Sequence, residues 1–139
     1  MGVVAKEIEV SCAIIERDGL VLVARRSPVM AQPLKWEFPG GKLQPGESPA
    51  ASLKREILEE LEVEIEIARA LPESRYCYPD FTIILHPFIC TIAEGVVRPV
   101  EHAEIAWLPP GRLPSLAWAA ADRPVLEAYL EQLEGQECW

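Results

Sequence analysis

The amino-acid sequence predicts a mixed α/β domain with helices packed on a sheet, on three observations. Apolar residues recur with period two in several stretches, as strands require. Two other stretches carry an apolar face at helical spacing. Of the 139 residues, half are hydrophobic and a quarter are charged, a composition that folds rather than stays disordered. At this length one domain over residues 1–139 is expected.

From Glu7 to Glu16 the chain alternates, with Ile8, Val10, Cys12 and Ile14 on one side of a strand. Asp18-Gly19 supplies hairpin-turn chemistry, and Leu20 to Ala24 suits the partner strand. Ser27 to Lys35 holds two prolines and no period, so it reads as a loop. Trp36 to Phe38 predicts a short strand stopped by Pro39-Gly40-Gly41, and Gln44-Pro45-Gly46-Glu47 predicts a turn. Ser48-Pro49 opens a helix, the serine as N-cap and the proline in the first turn, running to about Leu61. Glu62 to Ile67 alternates acid with aliphatic and reads as strand. Phe81 to Ile92 is a further strand region, broken or bent at Pro87, and Ala103 to Leu108 a shorter one. Asp122-Arg123-Pro124 opens a last helix with Asp122 as its N-cap, and Val125, Leu126, Tyr129, Leu130 and Leu133 form its apolar face.

The balance of 22 Asp plus Glu against 13 Lys plus Arg gives a net charge of −9. That excess opposes binding to nucleic-acid polymers or an anionic membrane. It leaves phosphate chemistry open, because carboxylates can hold a divalent cation between protein and substrate. Cys12, Cys77, Cys90 and Cys138 lie far apart with no zinc-like spacing, and read as idle thiols of a reducing cytosol. No signal peptide is visible, and charges cut every apolar segment before the ~20 residues of a membrane helix. A cytoplasmic protein, monomeric or homodimeric, is expected.

The acid is concentrated on one helix. At 100° per residue, Ala50, Leu53, Ile57 and Leu61 make a buried stripe, and Glu56, Glu59 and Glu60 fall on the adjoining arc. Glutamates on a helix are ordinarily a solvated face. Here like charges at i,i+3 and i,i+4 each disfavour the helix by roughly 0.2–0.5 kcal/mol. They also lie near its negative end. Arg55 can pair with Glu59, but one cation does not balance three anions. Hard oxygen ligands beside Gly40-Gly41, where the backbone can approach a ligand and a carbonyl can join the shell, suit Mg²⁺ or Mn²⁺.

The spacing Gly41, Glu47, Arg55-Glu56-Ile57, Glu59-Glu60, Val63 resembles the signature box of the Nudix hydrolases over residues 41–63. Every specified position agrees except Glu62, where the family pattern has glycine. Arg25-Arg26, Trp36 to Lys42 and Glu101 to Trp107 are similar to MutT-like and CTP-pyrophosphohydrolase-like members, and the likeness extends from about Glu9 to Tyr129. The resemblance implies a Nudix fold, an α/β/α sandwich with a mixed sheet between helices. It implies Mg²⁺-dependent hydrolysis of (deoxy)nucleoside triphosphates to the monophosphate and pyrophosphate, with Mn²⁺ as a substitute.

Carried over residue by residue, the metal shell is the Gly40 carbonyl, Glu56, Glu59, Glu60 and Glu101. Glu56 is the base that activates water, with Glu101 as competitor. Arg55 and Glu47 form a supporting salt bridge. Arg26 and Lys42 are candidates for the triphosphate, and Phe38 for a wall of the nucleobase slot or the core. Asp122 occupies the family's base-reading position, where MutT carries asparagine, and Phe81 falls where MutT has an arginine. An ionised Asp122 would only accept hydrogen bonds. The implied role is nucleotide-pool sanitisation, on 8-oxo-dGTP or on cytidine-type nucleotides. ADP-ribose or dinucleoside polyphosphate hydrolysis, and a nucleotide sensor without turnover, are the rival readings. His86 and His102 read as structural. A non-glycine left-handed cap at Glu62 would cost roughly 1–2 kcal/mol unless the helix ends through another turn.

Overall fold

A computed structural model of the chain describes residues 6–137. The first alternating stretch forms β1, Lys6–Arg17, and it organises everything else. Asp18 and Gly19 both take positive φ, 53° and 77°, the backbone that a two-residue hairpin turn demands. They return the chain into β2, Leu20–Arg25. Next come β3, Trp36–Glu37, and β4, Gly40–Lys42. Helix α1 spans Pro49–Leu61, and the Ser48 side chain accepts the Ala51 N–H at 3.1 Å. Strands β5, Glu64–Ala70, β6, Ser74–Cys77, β7, Phe81–Glu94, and β8, Glu104–Leu108, follow. Short 3₁₀ helices at Pro110–Ser115 and Ala120–Asp122 lead into α2, Arg123–Glu137.

The sheet is mixed. Its main path runs β3-β2-β1-β7-β5, with β4 also on β1, β6 on β7 and β8 on β2. Among the described strands β1 and β7 run parallel, in register from Lys6 opposite Phe81 to Ile15 opposite Cys90; the other strand pairs named are antiparallel. Alternation along β1 divides the interior in two. Cys12 and Ile14 join Val125, Leu126 and Tyr129 of α2, whereas Ala13 and Ile15 join Leu53, Ile57 and Leu61 of α1. Both sheet faces are therefore covered, giving the α/β/α sandwich.

Several expectations are corrected. The strand at Trp36 does stop before Pro39, ending at Glu37, but Gly40-Gly41 is itself extended, since β4 begins at Gly40 and pairs with β1. A Cβ at Gly40 would lie 1.9 Å from the Ser11 carbonyl oxygen, so only glycine permits this approach. β7 runs through Pro87 unbroken. There the outer neighbour changes from β5, last paired at Phe88, to β6, first paired at Leu85. The Pro87 carbonyl accepts the Leu71 N–H at 2.9 Å. N–H and C=O of one strand residue point the same way, so the missing donor faces the changeover and no ladder bond is lost. Residues 62 and 63 precede β5 rather than belonging to it. Glu62 takes φ 60° and ψ 31° and its N–H bonds the Leu58 carbonyl at 3.1 Å, a left-handed cap on a side chain with a Cβ.

Cys12 and Cys90 are buried and Cys77 is exposed; Cys138 lies outside the described residues. Burial pushes the Cys12 thiol well up and the Cys90 thiol to about 12, so both stay protonated. Among the described residues no helix is long and apolar enough to cross a membrane.

Candidate active site

A cleft of about 450 Å³ opens between β1, β4 and the segments leading into α2. Arg26, Phe38, Gly40, Lys42, Glu60, Phe81 and Asp122 all line it, and so do Glu37 and His102. Glu47, Arg55, Glu56, Glu59 and Glu101 are outside that lining.

The helical end is built around Arg55. Its Nε and Nη2 donate to the two Glu47 oxygens at 2.6 and 2.9 Å, and Nη1 donates to Glu56 at 2.9 Å. Nη1 reaches Glu59 only at 3.3 Å, and Nη2 also donates to the Lys42 carbonyl at 3.2 Å. Turn 44–47 feeds this network, because the Gln44 N–H donates to Glu47 at 2.8 Å. Arg55 and that N–H hold the Glu47 carboxyl down at about 2, well below the usual range. The paired carboxylates hold the Arg55 guanidinium further up still. A Cβ on Gly41 would fall 2.2–2.7 Å from the Glu56 carboxyl atoms. The bare backbone of β4 is thus the floor on which Glu56 rests.

Glu60 differs from its neighbours. Burial, then the charges of Glu37, Glu56 and Glu101, push its carboxyl up to about 8, against the Gly40 N–H, which favours the ionised form. Its Oε2 is buried with no hydrogen-bond partner among the described residues. Among those residues no three acidic, histidine or cysteine side chains are gathered at metal-ligand spacing. Glu56 and Glu59 lean on Arg55, and the remaining carboxyl, Glu60, lacks a counter-charge. An orphaned buried oxygen beside other hard oxygen donors fits a divalent cation, which would supply that charge.

The far end of the cleft is assembled from distant segments. Trp36 N–H donates to the Ala117 carbonyl and Ala119 N–H to the Trp36 carbonyl, each at 2.8 Å. This bridge lays residues 117–122 along β3. Asp122 Oδ2 accepts the Phe38 N–H at 2.9 Å, so its carboxylate is turned to Phe38 and does not cap α2. Burial, then the Glu37 charge, raises the Asp122 carboxyl to about 8 against the Phe38 N–H and Arg26. The expected ionised acceptor is therefore replaced near neutrality by a largely protonated carboxyl that can also donate. Phe38 is both buried core and cleft wall, its ring 4.8 Å from Trp118. Phe81 stacks on Tyr78 with centroids 5.0 Å apart. Gln32 pins this wall, donating to the Tyr78 hydroxyl at 2.5 Å and accepting the Ala120 N–H at 3.1 Å.

Sequence reasoning assigned nothing to Glu37, Tyr78 or Gln32 and left His102 as structural. Glu37 is the hub between the two ends: it accepts from Arg26 Nη1 at 2.6 Å and is bonded to His102 Nε2 at 2.8 Å. Arg26 is thereby held, its Nε also donating to the Ala31 carbonyl at 2.5 Å. Tyr78 had a visible signal, since Tyr76 and Tyr78 alternate before a Pro79-Asp80 turn, a hairpin with an aromatic tip. Glu37 and Gln32 had none, because their partners lie in other segments. His86 bonds Glu9 at 3.0 Å on the other side of β1 from β4.

The comparisons agree with this architecture. The family model described as NUDIX domain matches residues 5–129. The chain is 37% identical over 125 residues to the CTP pyrophosphohydrolase of Escherichia coli K12, covering 90% of this chain and 93% of that one. It is 27% identical over 129 residues to the 8-oxo-dGTP diphosphatase of the same organism, covering 92% of this chain and 99% of that one. The solution structure of the E. coli ORF135 protein superposes with a TM-score of 0.83 at 34% identity, over 97% of this chain and 96% of that one. A MutT protein structure from Methanosarcina mazei Go1 has the same fold, with a TM-score of 0.84 at 23% identity over 94% and 98%. A box of fixed spacing, an α/β/α sandwich and near full-length similarity lead to one statement: the chain belongs to the Nudix hydrolase family.

Proposed function

We propose that the chain is a single-domain, Mg²⁺-dependent hydrolase of (deoxy)nucleoside triphosphates that releases the monophosphate and pyrophosphate and serves to clear the nucleotide pool. One observation supports it above others: a single cleft runs from Glu60, on the acidic arc of α1, to an aromatic end at Phe81 and Asp122, the two chemistries of a phosphate tail and a base. Nudix hydrolases generally use divalent metal ions, and here Glu56, Glu59, Glu60, Glu101 and the Gly40 carbonyl are the oxygen set that would hold Mg²⁺. Bound there, it supplies charge neutralisation on the phosphoanhydride oxygens.

The remaining work belongs to side chains. Glu56 takes the proton of the attacking water as its oxygen bonds phosphorus, with Glu101 the alternative base, and the phosphoanhydride oxygen leaves. Arg55, fixed by Glu47, holds Glu56 on the Gly41 floor. Lys42 at the cleft rim meets the phosphate tail as a point charge, and Arg26 does so with its guanidinium anchored on Glu37. At the other end Phe38 and Phe81 wall the base. A protonated Asp122 offers a donor beside an acceptor, which matches a ring nitrogen next to an amino group, as on the N3 and N4 edge of cytosine or the N1 and N6 edge of adenine, and not the N1 and N2 donors of guanine. Of these two bases cytosine is the favoured one, on the 37% identity to the relative named CTP pyrophosphohydrolase.

The deciding experiment measures kcat/KM and products over normal and oxidised triphosphates and ADP-ribose with Mg²⁺. Pyrophosphate release, highest with cytidine nucleotides, is expected. Preferential ADP-ribose cleavage, which yields no pyrophosphate, would replace this reading with the other hydrolase class, and binding without turnover would make the domain a sensor.

A further inference from the structure

His102 is a residue of the cleft whose place in the chain matters more than its chemistry. Its side chain is only 2% exposed, and Nε2 is 2.8 Å from Glu37 Oε2. Nδ1 is buried without a partner among the described residues. An unpaired buried nitrogen carries a desolvation penalty, which the bond from Nε2 to Glu37 has to offset. The segment around it is a connection between β7 and β8 with no ladder of its own, and it is fastened at separate points. Arg98 N–H donates to the Leu61 carbonyl at 2.9 Å and Val100 N–H to the Glu60 carbonyl at 3.0 Å, at the carboxyl end of α1. Ala103 N–H donates to the Arg25 carbonyl at 2.9 Å. Glu101 lies between the Val100 tie and the His102 tie, exposed and with no side-chain bond among the described residues to fix it.

We propose that His102 is a positioning residue: its bond to Glu37 ties the segment before β8 to β3 and so holds the Glu101 carboxylate against the carboxyl end of α1. Glu37 is itself braced by Arg26, so the tie ends on a fixed group. The inference rests on the reading of Glu101 as a working carboxylate of the proposed hydrolysis. It adds that the neighbouring imidazole acts through Glu101 rather than on substrate.

The test is a kinetic cycle on CTP with Mg²⁺, using Glu101→Gln, His102→Ala and the double variant, together with amide hydrogen exchange of the metal-free proteins. Glu101→Gln is expected to lower kcat about 100-fold. His102→Ala lowers it about tenfold with KM within about twofold, and the double variant is no slower than Glu101→Gln alone. His102→Gln, which keeps an N–H that reaches Glu37, recovers most of the loss. In His102→Ala the Val100 and Ala103 amides exchange at least about tenfold faster, while Leu58 within α1 does not change. Should His102→Ala fail to fold, His102→Asn, polar but too short to reach Glu37, takes its place in both measurements. Losses that multiply in the double variant, or unchanged exchange at Val100 and Ala103, overturn the proposal. A wild-type rate for Glu101→Gln overturns it together with the role given to Glu101, while pyrophosphate release in the substrate panel still stands or falls separately.

Discussion

The two ends of the cleft are built in opposite ways. At the helical end, Gly41, Glu47, Arg55, Glu56 and Glu60 come from one continuous stretch of chain, and one guanidinium ties Glu47, Glu56 and Glu59 together. At the other end Phe38, Phe81 and Asp122 come from three separated segments, joined by a backbone bridge at Trp36 and the Gln32 amide. Charge is treated differently too. Glu47 is held down near 2 by Arg55, whereas Asp122 is pushed up to about 8 by burial. The Arg55 ion pair near solvent keeps the Glu47 carboxylate ionised, while Glu60, buried without a counter-charge, is itself pushed up to about 8. A buried carboxyl facing an apolar wall gives up its charge and becomes a hydrogen-bonding group. One fold thus ties carboxylates to a guanidinium at one end, leaving Glu60 without a counter-charge, and buries a lone carboxyl against an apolar wall at the other.

The largest effect expected from breaking this division is at Glu56. Glu56→Gln keeps size and shape, and kcat should fall about 10³-fold with little change in thermal stability. A wild-type rate would move the base elsewhere. Gly41→Ala tests the same carboxylate from below: the new Cβ must displace it, and a shift near 1 Å costs about 10²-fold in kcat. Unchanged turnover would mean that Glu56 leaves its β4 floor to work.

Asp122→Asn probes the neutral end. The folded carboxyl at about 8 lies above its ordinary value of 3.8. Between those values the folded state keeps a proton that the unfolded chain has lost, so stability falls as pH rises through the window. Asparagine still accepts the Phe38 N–H but does not titrate. The metal-free variant should therefore gain on the wild type between about pH 5 and 8 by up to about 4 kcal/mol. Base preference should change more than kcat on the best substrate. Parallel pH profiles in thermal melts would sink the buried, protonated Asp122.

The smallest effect lies outside both ends. Glu62→Gly relieves the left-handed cap but frees the unfolded chain, for a net gain of about 0.5–1 kcal/mol and roughly 2–4 °C in melting temperature. A lower melting temperature would show that the glutamate side chain is stabilising there.

What was legible in the sequence follows from how local each feature is. The hairpin at Asp18-Gly19, the Ser48 cap and the stripe Leu53, Ile57, Leu61 rest on turn chemistry and periodicity within a few residues, and all are in the fold. Cleft residues inside the box or flanking it were named because their spacing is fixed. Strand β6 escaped because it is only four residues long, Ser74–Cys77, and holds just one of the two alternating tyrosines. Pro87 misled because a missing N–H matters only if a neighbour needs it, and that depends on where β5 hands over to β6.

The chain alone therefore determined the α/β class, the acidic arc of α1 and the family to which that arc belongs, since each is written in residues less than about two helical turns apart or at constant spacing. Tertiary structure decided the rest. Only packing could make Glu37 a hub between Arg26 and His102, turn Asp122 from a helix cap into a protonated partner of Phe38, and leave the Glu60 carboxyl with a buried oxygen and no counter-charge. A pKa and a hydrogen-bond partner depend on burial and on neighbours from remote segments, and neither is written in the order of residues.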